Sequence, residues 1–320
     1  MHKRLKRLRF EYTSLGFVVL SVVLLYGLAL SGPAAVIRDG DILAAWVVRA
    51  PQSMVMAWGS AVGEVSIRGL EEYSRRVDYR LGGVRRGEHA VPRILVDRIP
   101  PELAMLRSPR ERKRAFVKVM LPLVLAANER ILAERRRLIE LRGKSGAFEP
   151  GERAWLEHMS ARYNLETPDV EALLRRVDAV PPSLALAQAA EESGWGTSRF
   201  VREGNALFGQ RTFAAGSGLI PLQRDESETH EVRSFKRLLD SVASYMTNLN
   251  SHYAYDEFRK AREEQRKIRD SLDGYALART LTGYSERGAE YTRTIRSIIR
   301  SNGLRALDRA RFRDREDSEI

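Results

Sequence analysis

Two adjacent carboxylates, Glu191 and Glu192, close a short apolar run and are followed at once by Ser193-Gly194-Trp195-Gly196. Val180-Pro181-Pro182 fixes an extended lead-in and presets the backbone for a first helical turn; Gly194 and Gly196 stop the helix about three turns later. The acids therefore fall in the last turn, where the helix dipole gathers partial negative charge and the final carbonyls lack partners. Ionisation is disfavoured there, and the second acid together with a partly desolvating Trp195 acts in the same sense. A carboxyl so placed keeps its proton long enough to hand it to a leaving oxygen, which is what cleavage of a glycosidic bond requires. Successive helical residues point about 100° apart, so one of the pair faces a cleft and the other is a structural or solvent-facing partner. Taken alone, such a pair reads more readily as a solvated helix end. Ala185, Ala187, Ala189 and Ala190 make the helix thin, and Leu184 and Leu186 give it bulk to bury, as in a core helix.

The run Ala187-Gln-Ala-Ala-Glu-Glu-Ser-Gly-Trp-Gly-Thr-Ser198, with Gly204-Asn205-Ala206-Leu207-Phe208-Gly209 after it, resembles the signature of the glucosaminidase domains of glycoside hydrolase family 73. The resemblance implies a lysozyme-like helical domain with a small β-hairpin lobe, acting on peptidoglycan glycan strands. It places the catalytic acid at the residue directly before Ser-Gly-Trp-Gly, which is Glu192, and does not require an acid at position 191. Residues 91–177 resemble, less closely, the region before the hydrolase domain in the Bax-like branch of this family.

Beyond Phe208-Gly209 the pattern turns polar and glycine-punctuated. Leu219-Ile-Pro-Leu222 and His230-Glu-Val-Arg-Ser-Phe235 read as two extended pieces of a hairpin, the second wall a glycan cleft needs. Glycosidases generally set a second carboxylate about 5 to 9.5 Å from the first. Asp225, Glu226, Glu228 and Glu231 are candidates, and Glu231 is preferred because it lies in a strand and not at a tip. A substrate bearing a 2-acetamido group can instead use its own carbonyl oxygen, leaving Glu192 to act alone. Gly283-Tyr284 and Tyr291 resemble the family's closing segment. A phenol can stack on a sugar and donate a hydrogen bond at once, so Tyr284 and Tyr291 are candidate substrate walls, with core packing as the alternative. Asn205 and Trp195 complete the candidate sugar contacts, Trp195 and Phe208 being also suited to packing beneath the cleft.

The supporting elements come from the rest of the chain. Ser108-Pro109 starts a helix whose apolar positions, Phe116 to Leu138, recur over more than six turns, with Pro122 expected to kink it. Glu129, Glu134 and Glu140 on it read as surface ion-pair partners of nearby arginines. A helix over 152–163 follows, then one capped by Thr167 with Pro168 in first position. Residues 68–89, rich in Arg, Gly and Glu, read as a linker, 41–67 as broken apolar helices, and 306–320 as a frayed, charged tail.

At the start, Lys3, Arg4, Lys6, Arg7 and Arg9 precede an uncharged apolar run from Thr13 to Ile37. That run exceeds the roughly 20 residues needed to cross a bilayer, and its basic flank predicts a cytoplasmic N-terminus with the remainder exported. It is expected to be a retained single-pass inner-membrane anchor rather than a cleaved signal, giving a periplasmic catalytic domain over 181–305 behind a helical region over 91–180. The net charge of +12 suits an anionic partner, and export makes that partner membrane surface and cell wall rather than nucleic acid. Cysteine is absent and the five histidines are scattered, so no disulfide framework, metal site or cofactor is implied. Oligomeric state is not legible.

Overall fold

The acid-bearing helix is largely buried, and the elements around it fix where it begins. The computed structural model describes residues 61–314, apart from 63–64, 145–146, 213, 215, 221–230 and 270. Ala61–Val62 (β1) pairs in parallel with Leu95–Val96 (β2), so residues 61–62 of the stretch expected to be helical form a strand. Residues 68–89 are not a linker. They form helices α1 (Ile67–Arg76) and α2 (Leu81–Arg86), because Leu70, Tyr79, Leu81 and Val84 among the charges are all buried. The apolar run 13–37 lies outside the described residues. Among the described residues no helix is long and apolar enough to cross a membrane.

Helix α3 (Pro109–Arg142) starts as its sequence predicts, with the Ser108 hydroxyl accepting the Glu111 amide at 3.3 Å and Pro109 in the first turn. It continues through Pro122, and from Ala115 to Asn128 every side chain is buried, as expected of a helix that is apolar nearly all round and surrounded by others. Glu134 is a correction to the surface reading: it is buried, accepting from Arg162 at 2.6 Å and from the Tyr163 hydroxyl at 3.0 Å. Glu129 does pair at the surface, with Arg93.

Helix α4 (Pro150–Arg162) precedes α5 (Val170–Arg176). The cap of α5 is Asp169 rather than Thr167. Its carboxylate accepts from both Glu171 and Ala172 amides, at 2.9 and 3.1 Å, and carries the negative charge that a helix start favours. The buried bend 177–180 that follows is tied from three sides. Asn128 of α3 exchanges two hydrogen bonds with the Val180 backbone, and Asn250 donates to the Asp178 carbonyl. Arg262, 1% exposed, donates to the carbonyls of Arg175, Arg176, Asp178 and Ala179. A buried guanidinium is stable here because it meets the orphan carbonyls at the end of α5; burial pushes its pKa down to about 10, which leaves it charged at neutral pH. The bend fixes where the next helix begins.

That helix is α6 (Pro182–Ser193), flanked by α3 and α11 (Ala289–Ser301). Between α6 and α11 the chain forms α7 (Arg199–Gly204), a three-stranded lobe, α8 (Leu238–Ser251), α9 (Asp256–Ile268) and α10 (Gly274–Leu277). The lobe adds a strand to the expected hairpin: β5 (Glu231–Arg233) lies between β3 (Arg211–Thr212) and β4 (Gly218–Leu219), antiparallel to both. Residues 91–180 and 181–305 share one hydrophobic core.

The expected tail, 306–320, is packed rather than frayed as far as it is described. Asp308, in the turn Arg305–Arg309, accepts the Ser183 amide and hydroxyl, both at 2.8 Å, and the Gly274 amide at 3.0 Å. It thus supplies from a distance the N-terminal acceptor that Pro181, standing at the cap of α6, cannot. Gly274 permits the approach: a Cβ there would lie 2.3 Å from the Ser183 hydroxyl and 3.0 Å from the Leu184 amide. Farther on, Arg311 and Arg313 bond to the Val91 backbone.

Candidate active site

Helix α6 ends as the glycines predict. Gly194, Trp195 and Gly196 have φ of +58°, +60° and +82°, a left-handed run in which the Trp195 amide returns to the Ala190 carbonyl at 2.8 Å. Position 196 must be glycine for a second reason, since a Cβ would come within 2.7 Å of the Leu103 side chain. This abrupt stop leaves Glu192 exposed at the end of an otherwise buried helix.

The carboxyl of Glu192 is reachable by solvent yet crowded by phenol rings. Its Oε1 accepts the Tyr291 hydroxyl at 2.8 Å. Tyr291 in turn accepts Gln188 Nε2 at 2.9 Å, and Gln188 Oε1 accepts the Tyr245 hydroxyl at 2.7 Å. Gln188 is wholly buried, and Tyr245 and Tyr291 are 1% exposed. The chain of bonds runs one way, from Tyr245 through Gln188 and Tyr291 to the acid. Among the described residues nothing hydrogen-bonds Glu192 Oε2. A proton on Glu192 therefore sits on Oε2, because Oε1 is already accepting, and Oε2 is the oxygen left for a substrate.

Loss of hydration raises the Glu192 pKa above the ordinary carboxylate range; the Tyr291 bond opposes this, neighbouring Glu191 reinforces it, and Arg287 opposes it. The Tyr291 phenol is driven far up by burial first and by Glu192 next, so it is a neutral donor at any working pH. Glu191 points elsewhere. It accepts Arg287 Nη2 at 2.7 Å, and the Arg287 guanidinium lies 5.4 Å from the Tyr291 ring centre, joining the second acid to the side of the site.

The other predicted contacts fall into three groups. Tyr284 is half-buried and stacks on Tyr291 with ring centres 5.3 Å apart at 12°, so it can still present an edge to a sugar. Tyr291 is not a sugar wall: it is buried and bonded to the acid. Trp195 is half-buried, meeting Phe116 edge-on at 5.7 Å with Lys113 4.9 Å over its ring, and Phe208 lies beneath, stacked on Tyr245 at 3.9 Å.

Asn205 also departs from expectation. It is fully buried in a left-handed conformation at φ +53°, and its amide donates to the Phe235 and Lys236 carbonyls, both at 3.1 Å. It ends α7 and holds the lobe instead of touching a sugar. In the lobe, Glu231 is buried, with its two oxygens accepting the amides of Gly216 and Gly218 at 2.9 and 2.8 Å. To activate a water it would have to loosen contacts that shape its own sheet. Asp225, Glu226 and Glu228 lie outside the described residues.

Gln188, Tyr245, Arg287 and Asp308 were not found by sequence reasoning. Gln188 had a signal: a polar side chain one turn before Glu192 on the same face of an alanine-rich core helix must meet a buried partner. The others come from distant segments that only the fold brings in.

An exposed, tyrosine-backed acid at a helix end is suited to a glycosidase, and comparison with known proteins points to that class. Residues 167–304, which take in α5 as well as α6, match the glucosaminidase family model described as mannosyl-glycoprotein endo-beta-N-acetylglucosaminidase. The chain is also similar to Protein bax of Escherichia coli K12, 34% identical over 208 residues that cover 63% of this chain and 74% of that protein. The chain belongs to the Bax-like proteins with a glucosaminidase domain. No solved structure is significantly similar to it.

Proposed function

We propose that the domain hydrolyses peptidoglycan glycan strands at the β-1,4 bond between N-acetylglucosamine and N-acetylmuramic acid, with Glu192 as general acid. The observation that carries this reading is the single open oxygen of Glu192, Oε2, on a carboxyl of raised pKa whose other oxygen is held by Tyr291. In the first step Oε2–H gives its proton to the bridging oxygen as the glycosidic bond breaks, and the electron pair of that bond leaves with the departing sugar. The resulting carboxylate keeps the Tyr291 bond, which strengthens as charge appears on it. Water then adds to the sugar carbon, and its proton returns to Glu192 or passes to a second base.

The bonding of Glu231 within the lobe favours a form of this reaction in which the substrate's own acetamido oxygen attacks the sugar carbon and Glu192 serves as acid and then base. Retention of configuration at the new reducing end supports that form, and inversion supports a water held by a lobe carboxylate. Export, with 13–37 as a membrane anchor, completes the reading, since it places the domain where the wall is. Protease protection of the domain in intact spheroplasts would refute that placement. Mass spectrometry of fragments from digested sacculi tests the bond: N-acetylglucosamine at the reducing ends is expected, and chains ending in N-acetylmuramic acid, reducing as from lysozymes or as the internal anhydride from lytic transglycosylases, would assign the neighbouring bond. Binding to sacculi without fragment release would make the chain a wall-binding scaffold.

A further inference from the structure

A row of aromatic rings leads from Glu192 to the open surface. Tyr291 stacks on Tyr284 at 5.3 Å, Tyr284 lies 5.9 Å from Tyr255, Tyr255 5.6 Å from His252, and His252 stacks on Tyr253 at 4.4 Å and 30°. Tyr291 and Tyr255 are buried, so the row is packed interior that sets its outer end apart from Glu192 rather than a track for the strand. At the far end Tyr253 is 82% exposed, more than any other large apolar side chain among the described residues.

The ring is held in place although it is bare. Tyr253–Tyr255 is a single 3-10 turn, and His252 caps it by accepting the Ala254 amide on Nδ1 at 3.2 Å. Arg259, 4% exposed, donates to the His252 carbonyl at 2.8 Å and to the Leu249 carbonyl at 3.1 Å, fastening the turn to the end of α8. His252 covers one face of the Tyr253 ring and leaves the other to solvent. With Nδ1 occupied, the imidazole has Nε2–H to donate beside that ring, and the Tyr253 hydroxyl adds a second donor.

An apolar plate with polar donors at its rim matches a pyranose, which presents C–H groups on a face and oxygens around its edge. A protein-docking patch fits less well, because beyond the small Ala254 the exposed residues next along the chain, Asp256 and Glu257, are charged. We propose that Tyr253, backed by His252, is a distal sugar subsite that stacks a saccharide several units from the bond held at Glu192 and so selects long strands over short ones. This rests on the glycan reading above, and it adds a length preference that the acid alone does not provide.

Binding, which needs no turnover, tests the two claims separately. The full chain in the Glu192→Gln background is titrated calorimetrically with peptide-free peptidoglycan strands of mixed length and with the disaccharide unit. Adding Tyr253→Ala is expected to weaken long-strand binding about tenfold, equivalent to about 1.4 kcal/mol, and to shift the disaccharide less than about twofold. Tyr253→Phe, which keeps the plate, is expected to restore binding to within about twofold of the parent. Unchanged long-strand affinity in Tyr253→Ala overturns the subsite, as does an equal loss for the disaccharide, or no strand binding by either wild type or Glu192→Gln. If strands bind with this length dependence but wild type cuts none, the hydrolase reading falls and the subsite stands. If wild type cuts strands and Tyr253→Ala has no length effect, the reverse holds.

Discussion

Replacing Gln188 by Leu tests whether the acid is tuned from within the core. Leucine is close in volume and suits the buried helix, so the substitution removes the amide and little else. Tyr245 loses its acceptor and Tyr291 loses its donor, both in fully buried surroundings. An unsatisfied buried hydroxyl costs roughly 1–3 kcal/mol, so the variant should unfold at lower denaturant while remaining folded. The catalytic effect follows separately. Gln188 polarises the Tyr291 hydroxyl, and that hydroxyl favours the charged form of Glu192. Weakening this donor raises the Glu192 pKa further, so the alkaline limb of the pH–rate profile, where the acid loses its proton, moves to higher pH. Loss of one net hydrogen bond, about 0.5–1.5 kcal/mol, together with a looser carboxyl, should lower kcat about tenfold with KM little changed. The assay is the initial rate of reducing-end release from sacculi across pH, with circular dichroism as the control for folding. A folded Gln188→Leu protein with wild-type kcat and an unmoved alkaline limb would refute the claim that the buried chain acts on Glu192.

The neighbours of Glu192 should move the same limb in opposite directions: Glu191→Gln removes a repelling charge and shifts it to lower pH, whereas Arg287→Ala removes an attracting one and shifts it to higher pH. Identical profiles for both variants would remove the charges from the account. Asp308 makes a prediction about stability. Burial, partly offset by the Ser183 and Gly274 bonds, raises its pKa from 3.8 to about 6. Because the folded state holds this proton more tightly than the unfolded chain, its contribution is full below the unfolded value and fades as pH rises through the folded one, between about 4 and 6. Relative to Asp308→Asn, wild type should lose up to roughly 3 kcal/mol of unfolding free energy over that interval. Urea titrations at the two ends of the interval measure it, and parallel slopes for the two proteins would contradict it.

What could be read in the chain divides by the range of the interaction. The start of α3 at Ser108-Pro109 and the end of α6 at Gly194 were legible because caps and stops depend on a few neighbouring residues. Thr167-Pro168 is a good helix start signal, but the Asp169 carboxylate reaches two amides and prevails as the cap of α5. Residues 68–89 and the segment after Leu304 look too polar to fold by composition. Their few apolar residues, Leu70, Tyr79, Val84, Leu307 and Phe312, nevertheless enter the core, while arginines remain outside or bond to carbonyls, as Arg85 and Arg313 do. At the site, the role of Glu192 was suggested by its position at a helix end next to an acid and a tryptophan. The division of labour between the tyrosines was not, because Tyr284 and Tyr291 have the same chemistry in the sequence and differ only in which one α11 turns toward Gln188. Asn205 is ambiguous in the sequence for a similar reason: an Asn that can bind a sugar can equally take a left-handed cap, and here it is the cap.

The most direct test of the central claim is side-by-side digestion of purified sacculi by wild type and Glu192→Gln, with the rate of new reducing ends measured and folding verified by circular dichroism. Loss of a general acid predicts a fall of about 10²–10⁴ in that rate with the fold unchanged. Fragment release by folded Glu192→Gln within about twofold of the wild-type rate would mean that the proton comes from some other group, and the role assigned to Glu192 would be wrong.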